Sequence, residues 1–457
     1  MYQRVSVFGL GKLGMCLAAC AAHRGASVVG VDVSPRTVML VNQGQSPVSE
    51  TGLPEMIGAH RDRLVATHDY MRAVTESDIS FIVVPTPSEH SGRFSLRYVN
   101  QAVEAIGKAL RNKSGYHLVV VVSTVLPGSI GFDILPLLEA TSGRKCGREL
   151  GLCYGPEFIA LGDVIAGMLR PDFVLIGESD RIAGEYLEGW YRVFCENSPP
   201  VCRMNFVNAE LTKIAVNTFV TTKITFANML ATLCERLPGG DVDVVTNALG
   251  HDSRIGTRYL MGGLGYGGPC FPRDNQALTF TAKKLGCTAE LAEATDAMNR
   301  AFCDRVVARI SSIIPKRKTI AVLGVAYKPG TNVVEESQPL IIAERLAVAG
   351  YRVVIFDSHA TENAQFVLKH RVSYACSAAE CLAAADAVII ASPERQFREL
   401  GPHDFVQRIE PVVVFDCWRI LRGRFSNCEW VHYLALGIDE SQSTHDRSVT
   451  SIAASST

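Results

Sequence analysis

Residues 5–14 read VSVFGLGKLG, a short apolar run followed directly by the pattern GxGxxG. The apolar run predicts a buried strand, and the Ala-rich stretch that continues to Ala22 predicts a helix. Between the two, Gly9 can make the tight turn, Gly11 can let a pyrophosphate approach the backbone, and Gly14 can let helix and strand pack closely. The stretch therefore predicts a strand–turn–helix unit that binds a dinucleotide at the helix N-terminus.

The next predicted strand indicates which dinucleotide is bound. Residues 27–32 read SVVGVD, so Asp32 ends this strand, where its carboxylate can accept from ribose hydroxyls. A 2′-phosphate would be repelled there, which favours NAD over NADP, although Arg36 nearby weakens the preference. We therefore expect NAD as the cofactor, with Lys12 and Leu13 among the residues that contact it.

Patterns farther along the chain predict the domain organisation. Apolar runs at 79–84 and 118–122 are typical of parallel strands covered on both faces. Residues 208–237 contain neither Pro nor Gly and predict one long helix, after which strand patterns return at 318–324. The fold class is therefore α/β, with two Rossmann-like doubly wound domains joined by a long-helix central domain. The predicted segments are a cofactor domain at 1–204, a central domain at 205–314, a second α/β domain at 315–437 and a disordered tail at 438–457.

Composition excludes several classes of protein. The chain has 457 residues, of which 47% are hydrophobic, and a formal net charge of -1. This balance gives no reason to expect a nucleic-acid or anionic-membrane partner, and no apolar run is long enough to span a bilayer. The 14 cysteines form no CxxC pair and accompany no His cluster, which argues against a metal site and a secreted disulfide framework. We therefore expect a cytoplasmic protein without a bound metal.

Polar residues at strand ends and on the long helix are candidates for a site. Thr86 and Thr124 follow the two apolar runs, and loops at the carboxyl ends of parallel strands bind ligands. Lys213 and Asn217 are four residues apart and share one otherwise apolar helix face, where they need polar partners. For either Thr, the alternative is a turn in which its hydroxyl caps the backbone. For Lys213, the alternative is a surface side chain whose stem packs on the protein while its charged head reaches water.

Cys270 is the best nucleophile candidate among the cysteines. It lies in residues 267–274, GGPCFPRD, where the Pro that follows suits the first turn of a helix. A helix N-terminus and the neighbouring Arg273 both favour a thiolate, and Asp274 one turn on could move protons. The alternative is a buried structural cysteine, which we expect for most of the others.

These motifs together resemble the UDP-glucose/GDP-mannose dehydrogenase family over about residues 1–437. The motifs that carry the resemblance are GLGKLG at 9–14, ST at 123–124, PEF at 156–158, NAELTK at 208–213 with Asn217, SRIG at 253–256, GGPCFPRD at 267–274 and YKP at 327–329. Their order and spacing over more than half of the chain make the resemblance specific.

The resemblance implies a four-electron oxidation of a nucleotide-sugar CH₂OH to a carboxylate, with NAD as oxidant and a thiohemiacetal and thioester on Cys270. It further implies that Lys213 and Asn217 stabilise negative charge on the C6 oxygen and that Asp274 moves protons through water. Thr124 would orient that water and Glu157 would act as the base for thioester hydrolysis.

The resemblance also implies a substrate site and a homodimer or higher homo-oligomer. In this arrangement, the resemblance implies that Arg254 is contributed to the site of the neighbouring subunit. The implied substrate-binding residues are Glu157, Phe158, Ile159, Lys213, Asn217, Arg254, Tyr259, Gly263, Gly265, Gly267, Tyr327, Lys328 and Arg419.

The chain departs from the family pattern in places that concern the substrate. A second Glu that often follows the PEF motif is Leu161 here, and an Arg common after the Lys-Pro segment is Glu335. The usual Asp-Gly-Arg near the C-terminus is replaced by residues 416–418, Asp-Cys-Trp, with Arg419 one step later. The PEF motif resembles enzymes for hexoses with a free 2-hydroxyl, so UDP-glucose is favoured over GDP-mannose and a UDP-N-acetylhexosamine.

Two functions of other classes stay open. A simple two-electron β-hydroxyacid-type dehydrogenase shares the first domain and the long helix, but it needs neither the cysteine nor a second α/β domain. A non-catalytic NAD-binding protein would be expected to have lost a catalytic residue, whereas all six candidates are present.

Overall fold

The computed structural model describes residues 4–159, 161–383, 385–405 and 410–439. These residues form two compact units. The first contains the chain up to Val216 together with Phe280–Cys287, and the second contains Asn217–Thr279 together with the chain from Thr288. The division into the predicted domains 1–204, 205–314 and 315–437 stays a prediction.

An eight-stranded sheet forms the centre of the first unit. Its order is β3-β2-β1-β4-β5-β6-β7-β8, parallel throughout except that β7 runs antiparallel to β6. The strands are β1 Arg4–Phe8, β2 Ser27–Val31, β3 Leu64–Thr67, β4 Ile79–Ile82, β5 His117–Val121, β6 Leu150–Tyr154, β7 Val174–Glu178 and β8 Val201–Met204. The helices are α1 Lys12–His23, α2 Pro35–Asn42, α3 Leu53–Ala59, α4 Tyr70–Thr75, α5 Arg97–Leu110, a π-helical turn Ile130–Ile134, α6 Leu135–Ser142, α7 Val164–Leu169 and α8 Arg181–Phe194.

The strands are buried because both faces of the sheet are covered. In β5, Leu118 and Val120 belong to one apolar cluster, while Val119 and Val121 belong to another on the opposite face. Successive side chains of a strand point to opposite faces, so a continuous apolar run contributes to both clusters. The runs that the sequence predicted as doubly covered strands are confirmed.

The long helix predicted at 208–237 is α9 Phe206–Cys234, 29 residues and therefore about 44 Å long. It is followed by α10 Val242–Gly250, α11 Phe271–Lys284 and α12 Glu290–Ile313. Large apolar side chains on α9 remain exposed, among them Phe219 at 66% and Phe226 at 45%. Among the described residues, no helix has both the length and the apolar character to cross a membrane.

A second, six-stranded parallel sheet lies in the second unit, with the order β11-β10-β9-β12-β13-β14. Its strands are β9 Thr319–Leu323, β10 Arg352–Phe356, β11 Ser373–Tyr374, β12 Ala387–Ile390, β13 Val412–Asp416 and β14 Val431–Ala435. The helices around it are α13 Gln338–Val348, α14 Thr361–Leu368, α15 Ala378–Ala383 and α16 Arg395–Arg398, with 3₁₀ turns at Lys369–Arg371 and Pro402–Asp404. The predicted fold class, with two Rossmann-like sheets and a helical central region, is confirmed.

The first two residues of the predicted tail at 438–457 are described by the structure. Ile438 is buried at 5% exposure, and the Asp439 carboxylate accepts a hydrogen bond from the Gly239 backbone N–H at 3.0 Å. A β-bridge between Ile438 and Asp241 and the hydrogen bond from the Asp439 N–H to the Gly240 oxygen at 3.0 Å hold these two residues in the second unit. The rest of the predicted tail, 440–457, lies outside the described residues.

Candidate active site

The glycine turn after β1 has the form that a bound dinucleotide requires. Gly9 has a φ of +93°, and a Cβ on Gly14 would lie 1.9 Å from the Gly9 carbonyl oxygen. A Cβ on Gly11 would meet no atom within 4 Å, so open space lies beside the backbone at the start of α1. A pyrophosphate can therefore approach the main chain there and meet the helix N-terminus.

Asp32 holds the turn while remaining partly exposed. Its carboxylate accepts from the backbone N–H groups of Leu10 and Ser34, each at 2.8 Å. Each carboxylate oxygen has a second lone pair with which it can accept from a ribose hydroxyl. Arg36 is exposed in the first turn of α2, and Leu13 packs against the apolar cluster behind the turn.

Thr86 and Thr124 lie in the loops after β4 and β5, and the Thr86 hydroxyl donates to the Thr124 carbonyl oxygen at 2.8 Å. Ser123 binds the first loop as well, donating to the Val84 oxygen at 2.7 Å and accepting from the Val84 N–H at 2.9 Å. These bonds tie the two loops together at the carboxyl edge of the sheet. Thr86 is only 5% exposed, so its hydroxyl proton serves this internal bond.

Glu50 connects the cofactor turn to the loop after β6, and the sequence analysis missed it. Its carboxylate lies 3.8 Å from the Lys12 ammonium and accepts from the N–H groups of Gly162 and Val164, each at 3.1 Å. The side chain is 1% exposed. No local pattern marks this residue, because its two backbone donors are more than a hundred residues away along the chain.

Glu157 and Lys213 meet in the first unit. The Lys213 ammonium donates to the Glu157 backbone oxygen at 2.6 Å and lies 4.5 Å from the centre of the Phe158 ring. Burial raises the pKa of the Glu157 carboxyl to about 7, although the Lys213 charge and the hydroxyl of Tyr191, which donates at 3.4 Å, both oppose this. A carboxyl group with this pKa is suited to exchange protons near neutral pH. Tyr191 is a second residue that the sequence analysis missed.

Glu210 precedes Lys213 on the same helix and positions the loop that follows Thr124. Its carboxylate, fully buried, accepts from the N–H groups of Gly128 at 2.6 Å and Ile130 at 2.7 Å. Burial raises the pKa of the Glu210 carboxyl to about 7. This Glu lies inside the motif NAELTK, so its position was visible in the sequence while its role was not.

Cys270 immediately precedes α11, and its carbonyl oxygen accepts the first-turn hydrogen bond from the Asp274 N–H at 2.9 Å. None of the fourteen cysteines, all of them within the described residues, forms a disulfide, and Cys270 is one of four that are exposed. By contrast, burial raises the pKa of the Cys16 and Cys303 thiols to about 12, so these remain protonated at neutral pH. An exposed thiol at a helix N-terminus is the arrangement that favours thiolate chemistry.

Asp274 and Asn217 are in direct contact in the second unit. The Asn217 side-chain amide donates to the Asp274 carboxylate at 2.6 Å, and Asp274 is 1% exposed. The Arg273 Nε atom lies 3.6 Å from the other carboxylate oxygen. The predicted pair Lys213 and Asn217 lies one turn apart on α9, with one member bound to the loop of Glu157 and the other to Asp274.

Three buried amides hold the glycine loop that leads to Cys270. The backbone N–H groups of Gly263, Gly265 and Tyr266 donate to the side-chain oxygens of Asn228, Gln338 and Asn299, at 2.9, 2.8 and 3.0 Å respectively. Glycine is required here because the loop is pressed against these side chains. A Cβ on Gly265 would lie 2.1 Å from the Asn299 side-chain oxygen, and one on Gly267 would lie 2.2 Å from the Glu336 backbone oxygen.

The remaining predicted substrate residues have different surroundings. Arg254 is exposed and paired with Asp252 at 2.6 Å, and Tyr259 is 50% exposed with a φ of +61°. Tyr327 and Lys328 follow β9 and are partly exposed. Ile159 packs against the apolar cluster of the first unit.

Arg419 lies inside the second unit, and its predicted contact with the substrate stays a prediction. Its side chain is 1% exposed and is bound to both carboxylate oxygens of Asp243, at 2.7 and 2.8 Å. It also donates to the backbone oxygens of Leu436, at 2.9 Å, and of Gly262. The one-residue shift from the family pattern places this guanidinium where it supports the glycine loop from within.

One group in the described residues has the spacing of metal ligands. The ligand atoms of Asp357, His359 and Glu394 lie within 4.8 Å of one another. The Asp357 carboxylate already accepts four backbone N–H bonds of 2.8–3.0 Å, two at each oxygen. These donors occupy its lone pairs, which makes the group a poor cation site.

Three family models match the chain in the order of its elements. They are the NAD binding domain of the UDP-glucose/GDP-mannose dehydrogenase family at residues 3–195, its central domain at 207–301 and its UDP binding domain at 321–423. The chain belongs to the UDP-glucose/GDP-mannose dehydrogenase family. This family membership and the fit of the glycine turn show that the cofactor is NAD, and the UDP binding domain indicates a nucleotide-sugar substrate.

The chain is similar to family members that are named for different nucleotide-sugar substrates. A UDP-glucose 6-dehydrogenase of Haloferax volcanii is 36% identical over 433 residues, 92% of this chain and 98% of that protein. A GDP-mannose 6-dehydrogenase of Pseudomonas putida is 34% identical over 417 residues, 87% of this chain and 93% of that protein. The solved structure of a UDP-glucose dehydrogenase of Pyrobaculum islandicum has a TM-score of 0.86 at 32% identity, covering 96% of this chain and 98% of that one.

The six candidate catalytic residues are divided between the two units. Thr124, Glu157 and Lys213 belong to the first unit, where Glu157 and Lys213 are in contact. Asn217, Cys270 and Asp274 belong to the second unit. There the Asp274 carboxylate accepts from the Asn217 amide, and the Asp274 backbone N–H donates to the Cys270 carbonyl oxygen.

Proposed function

We propose that this dehydrogenase oxidises the C6 hydroxymethyl group of a nucleotide sugar to a carboxylate through a covalent intermediate on Cys270. The observation that carries the proposal is the exposed Cys270 thiol at the N-terminus of α11, one turn before the contact between Asp274 and Asn217. NAD, when bound, accepts the hydride in each of the two oxidation steps.

In the first oxidation C6 loses a hydride and its hydroxyl loses a proton, which leaves an aldehyde. Lys213 and Asn217 supply N–H donors that stabilise the charge developing on the C6 oxygen. The Cys270 sulfur then bonds to the aldehyde carbon, giving a thiohemiacetal, and the second oxidation converts this adduct to a thioester.

Hydrolysis of the thioester releases the uronate and returns the Cys270 thiol. Water adds to the thioester carbon, and the carbon–sulfur bond breaks. Glu157 accepts a proton from that water, since its pKa of about 7 leaves a basic carboxylate available at neutral pH. Thr124 orients the water, and Asp274 assists proton transfer. The position of the missing second Glu, Leu161, packs against the apolar cluster of the first unit, so Glu157 is the base on this loop.

UDP-glucose is the favoured substrate. The PEF motif and the relatives from Haloferax volcanii and Pyrobaculum islandicum support it. GDP-mannose is the second candidate, supported by the relative from Pseudomonas putida, and a UDP-N-acetylhexosamine is the third.

We further propose that the enzyme is a cytoplasmic homodimer, joined through the exposed apolar side chains of α9 and α12. Phe219, Phe226, Leu233, Leu291 and Met298 are 45–66% exposed on these two helices. Contiguous large apolar groups of this kind mark protein interfaces. A second copy is the proposed occupant, because the family resemblance implies that Arg254, exposed in the same unit, contributes to the neighbouring subunit's site.

The decisive experiment counts NADH formed per molecule of limiting UDP-glucose or GDP-mannose, with Cys270→Ser beside the native enzyme. Two NADH per sugar, stalled in Cys270→Ser and unchanged in the matched exposed-thiol control Cys287→Ser, is the expected result. One NADH per sugar that survives Cys270→Ser would replace the proposal with a simple dehydrogenase. NADH from a UDP-N-acetylhexosamine alone would overturn the choice of sugar and leave the mechanism standing.

A further inference from the structure

Trp418 lies at the carboxyl end of β13 with its ring held in one orientation. Its indole N–H donates to the Ala391 backbone oxygen at 2.9 Å, and its backbone N–H donates to the Asp416 carboxylate, also at 2.9 Å. The side chain remains partly exposed. The bond to Ala391 joins the ends of β13 and β12, so the ring position is set by the sheet rather than by a mobile loop.

The Trp418 ring packs directly on the glycine loop. A Cβ built on Gly263 would lie 2.7 Å from two atoms of the six-membered ring. At the other end of the loop, a Cβ on Gly268 would lie 2.5 Å from the Tyr327 ring. Tyr327 follows β9 as Trp418 follows β13, so both aromatic rings lie at the carboxyl edge of the second sheet. Ligands of open parallel sheets bind at this edge.

The neighbouring cation does not share this position. The Arg419 guanidinium is committed to Asp243 and to the Gly262 and Leu436 backbone oxygens within the unit. In place of a charged group, the segment after β13 therefore carries a partly exposed aromatic ring at the carboxyl edge of the second sheet, packed on one side against the glycine loop and the apolar cluster of this unit.

We propose that Trp418 is the stacking partner for the base of the substrate's nucleotide. This inference deepens the proposed function, on which it rests for the substrate class. Every nucleobase has a π-face, so a ring at this position accepts uracil and guanine alike. The residue contributes affinity for the nucleoside diphosphate, while the choice between the two bases depends on other contacts.

The test titrates the native enzyme, without cofactor, with UDP and separately with GDP, and follows tryptophan fluorescence and heat of binding. We expect quenching that is retained in the matched control Trp430→Phe and lost in Trp418→Phe. Trp430 is also partly exposed but precedes β14, at the opposite edge of the sheet. We expect Trp418→Ala to raise the Kd of the nucleotide about 5- to 150-fold and Trp418→Phe to raise it less.

Unchanged Kd in Trp418→Ala, or quenching that persists in Trp418→Phe, would overturn the assignment, as would binding of neither nucleotide to the native enzyme. Thermal unfolding of Trp418→Phe shows whether the variant remains folded. The titration measures binding alone, and the NADH count described above is made separately with the same variants. Nucleotide binding at Trp418 without NADH formation from any of the nucleotide sugars would uphold this inference and sink the proposed function. Normal turnover with Trp418→Ala at native affinity would do the reverse.

Discussion

The hydrogen bond from Tyr191 to Glu157 predicts a shift in the pH dependence of turnover. The Tyr191 hydroxyl donates to the Glu157 carboxylate at 3.4 Å and thereby favours its charged form, lowering the pKa of a carboxyl that burial raises to about 7. Tyr191→Phe removes this donor while keeping the ring, which is 4% exposed and packs against Trp190 and Phe194.

The magnitude follows from the geometry of the bond. At 3.4 Å the bond is long, so its net worth is at the lower end of the usual range, about 0.5 kcal/mol. This corresponds to a rise of about 0.4 in the pKa of Glu157. A base must be deprotonated to act, so the rising acid limb of kcat against pH moves to higher pH. On that limb the rate falls about 2.5-fold, and on the plateau it is unchanged.

The assay is the pH profile of NADH formation at saturating substrate and cofactor, for the native enzyme, Tyr191→Phe and the control Tyr186→Phe. Tyr186 lies on the same helix α8 but packs against Tyr116, so its variant should keep the native profile. An acid limb that stays in place, or that moves to lower pH, in Tyr191→Phe would refute the role given to Glu157 and its donor. A uniform loss of rate at every pH would indicate a structural effect only.

Three further outcomes are expected. Glu50→Gln leaves one of two backbone donors without an acceptor and should lower the free energy of unfolding by about 1–3 kcal/mol, measured by chemical denaturation, with a raised KM for NAD; an unchanged KM would separate this residue from the cofactor turn. Gly265→Ala places a Cβ 2.1 Å from the Asn299 oxygen and should cost about 1–3 kcal/mol and lower kcat. Gly189→Ala, which meets no atom within 4 Å in α8, serves as its control and should be neutral or stabilising. Phe226→Glu, at a side chain 45% exposed, should yield monomers in sedimentation equilibrium without loss of helix content, and a dimer that persists would move the interface elsewhere.

The elements of the fold and several site residues could be predicted from the sequence because their signals are local. A turn after β1 needs Gly9 in a left-handed conformation, and α9 needs a long stretch free of Pro and Gly, whatever lies around them. The candidates Cys270 and Asp274 share one helical turn, so their proximity also followed from spacing alone.

The partners of these residues depend on segments far apart in the chain. Glu50 and Tyr191 carry no motif, and each was identified by a hydrogen bond to a loop that the sequence places at a distance. The amides of Asn228, Asn299 and Gln338 look like any polar residue of a helix until the glycine loop folds onto them.

Residues 416–419, which depart from the family pattern, likewise have partners that the sequence alone did not reveal. The sequence placed Arg419 one step beyond the usual Arg, but it did not show that the guanidinium pairs with Asp243 inside the unit or that the neighbouring Trp418 remains partly exposed. By itself the sequence determined the strands, the long helix, the cofactor turn and the nucleophile candidate, since local backbone preferences and periodicity set these. Only the tertiary structure decided which buried polar groups find partners, because that depends on which distant segments share an interior where no water can replace a missing bond.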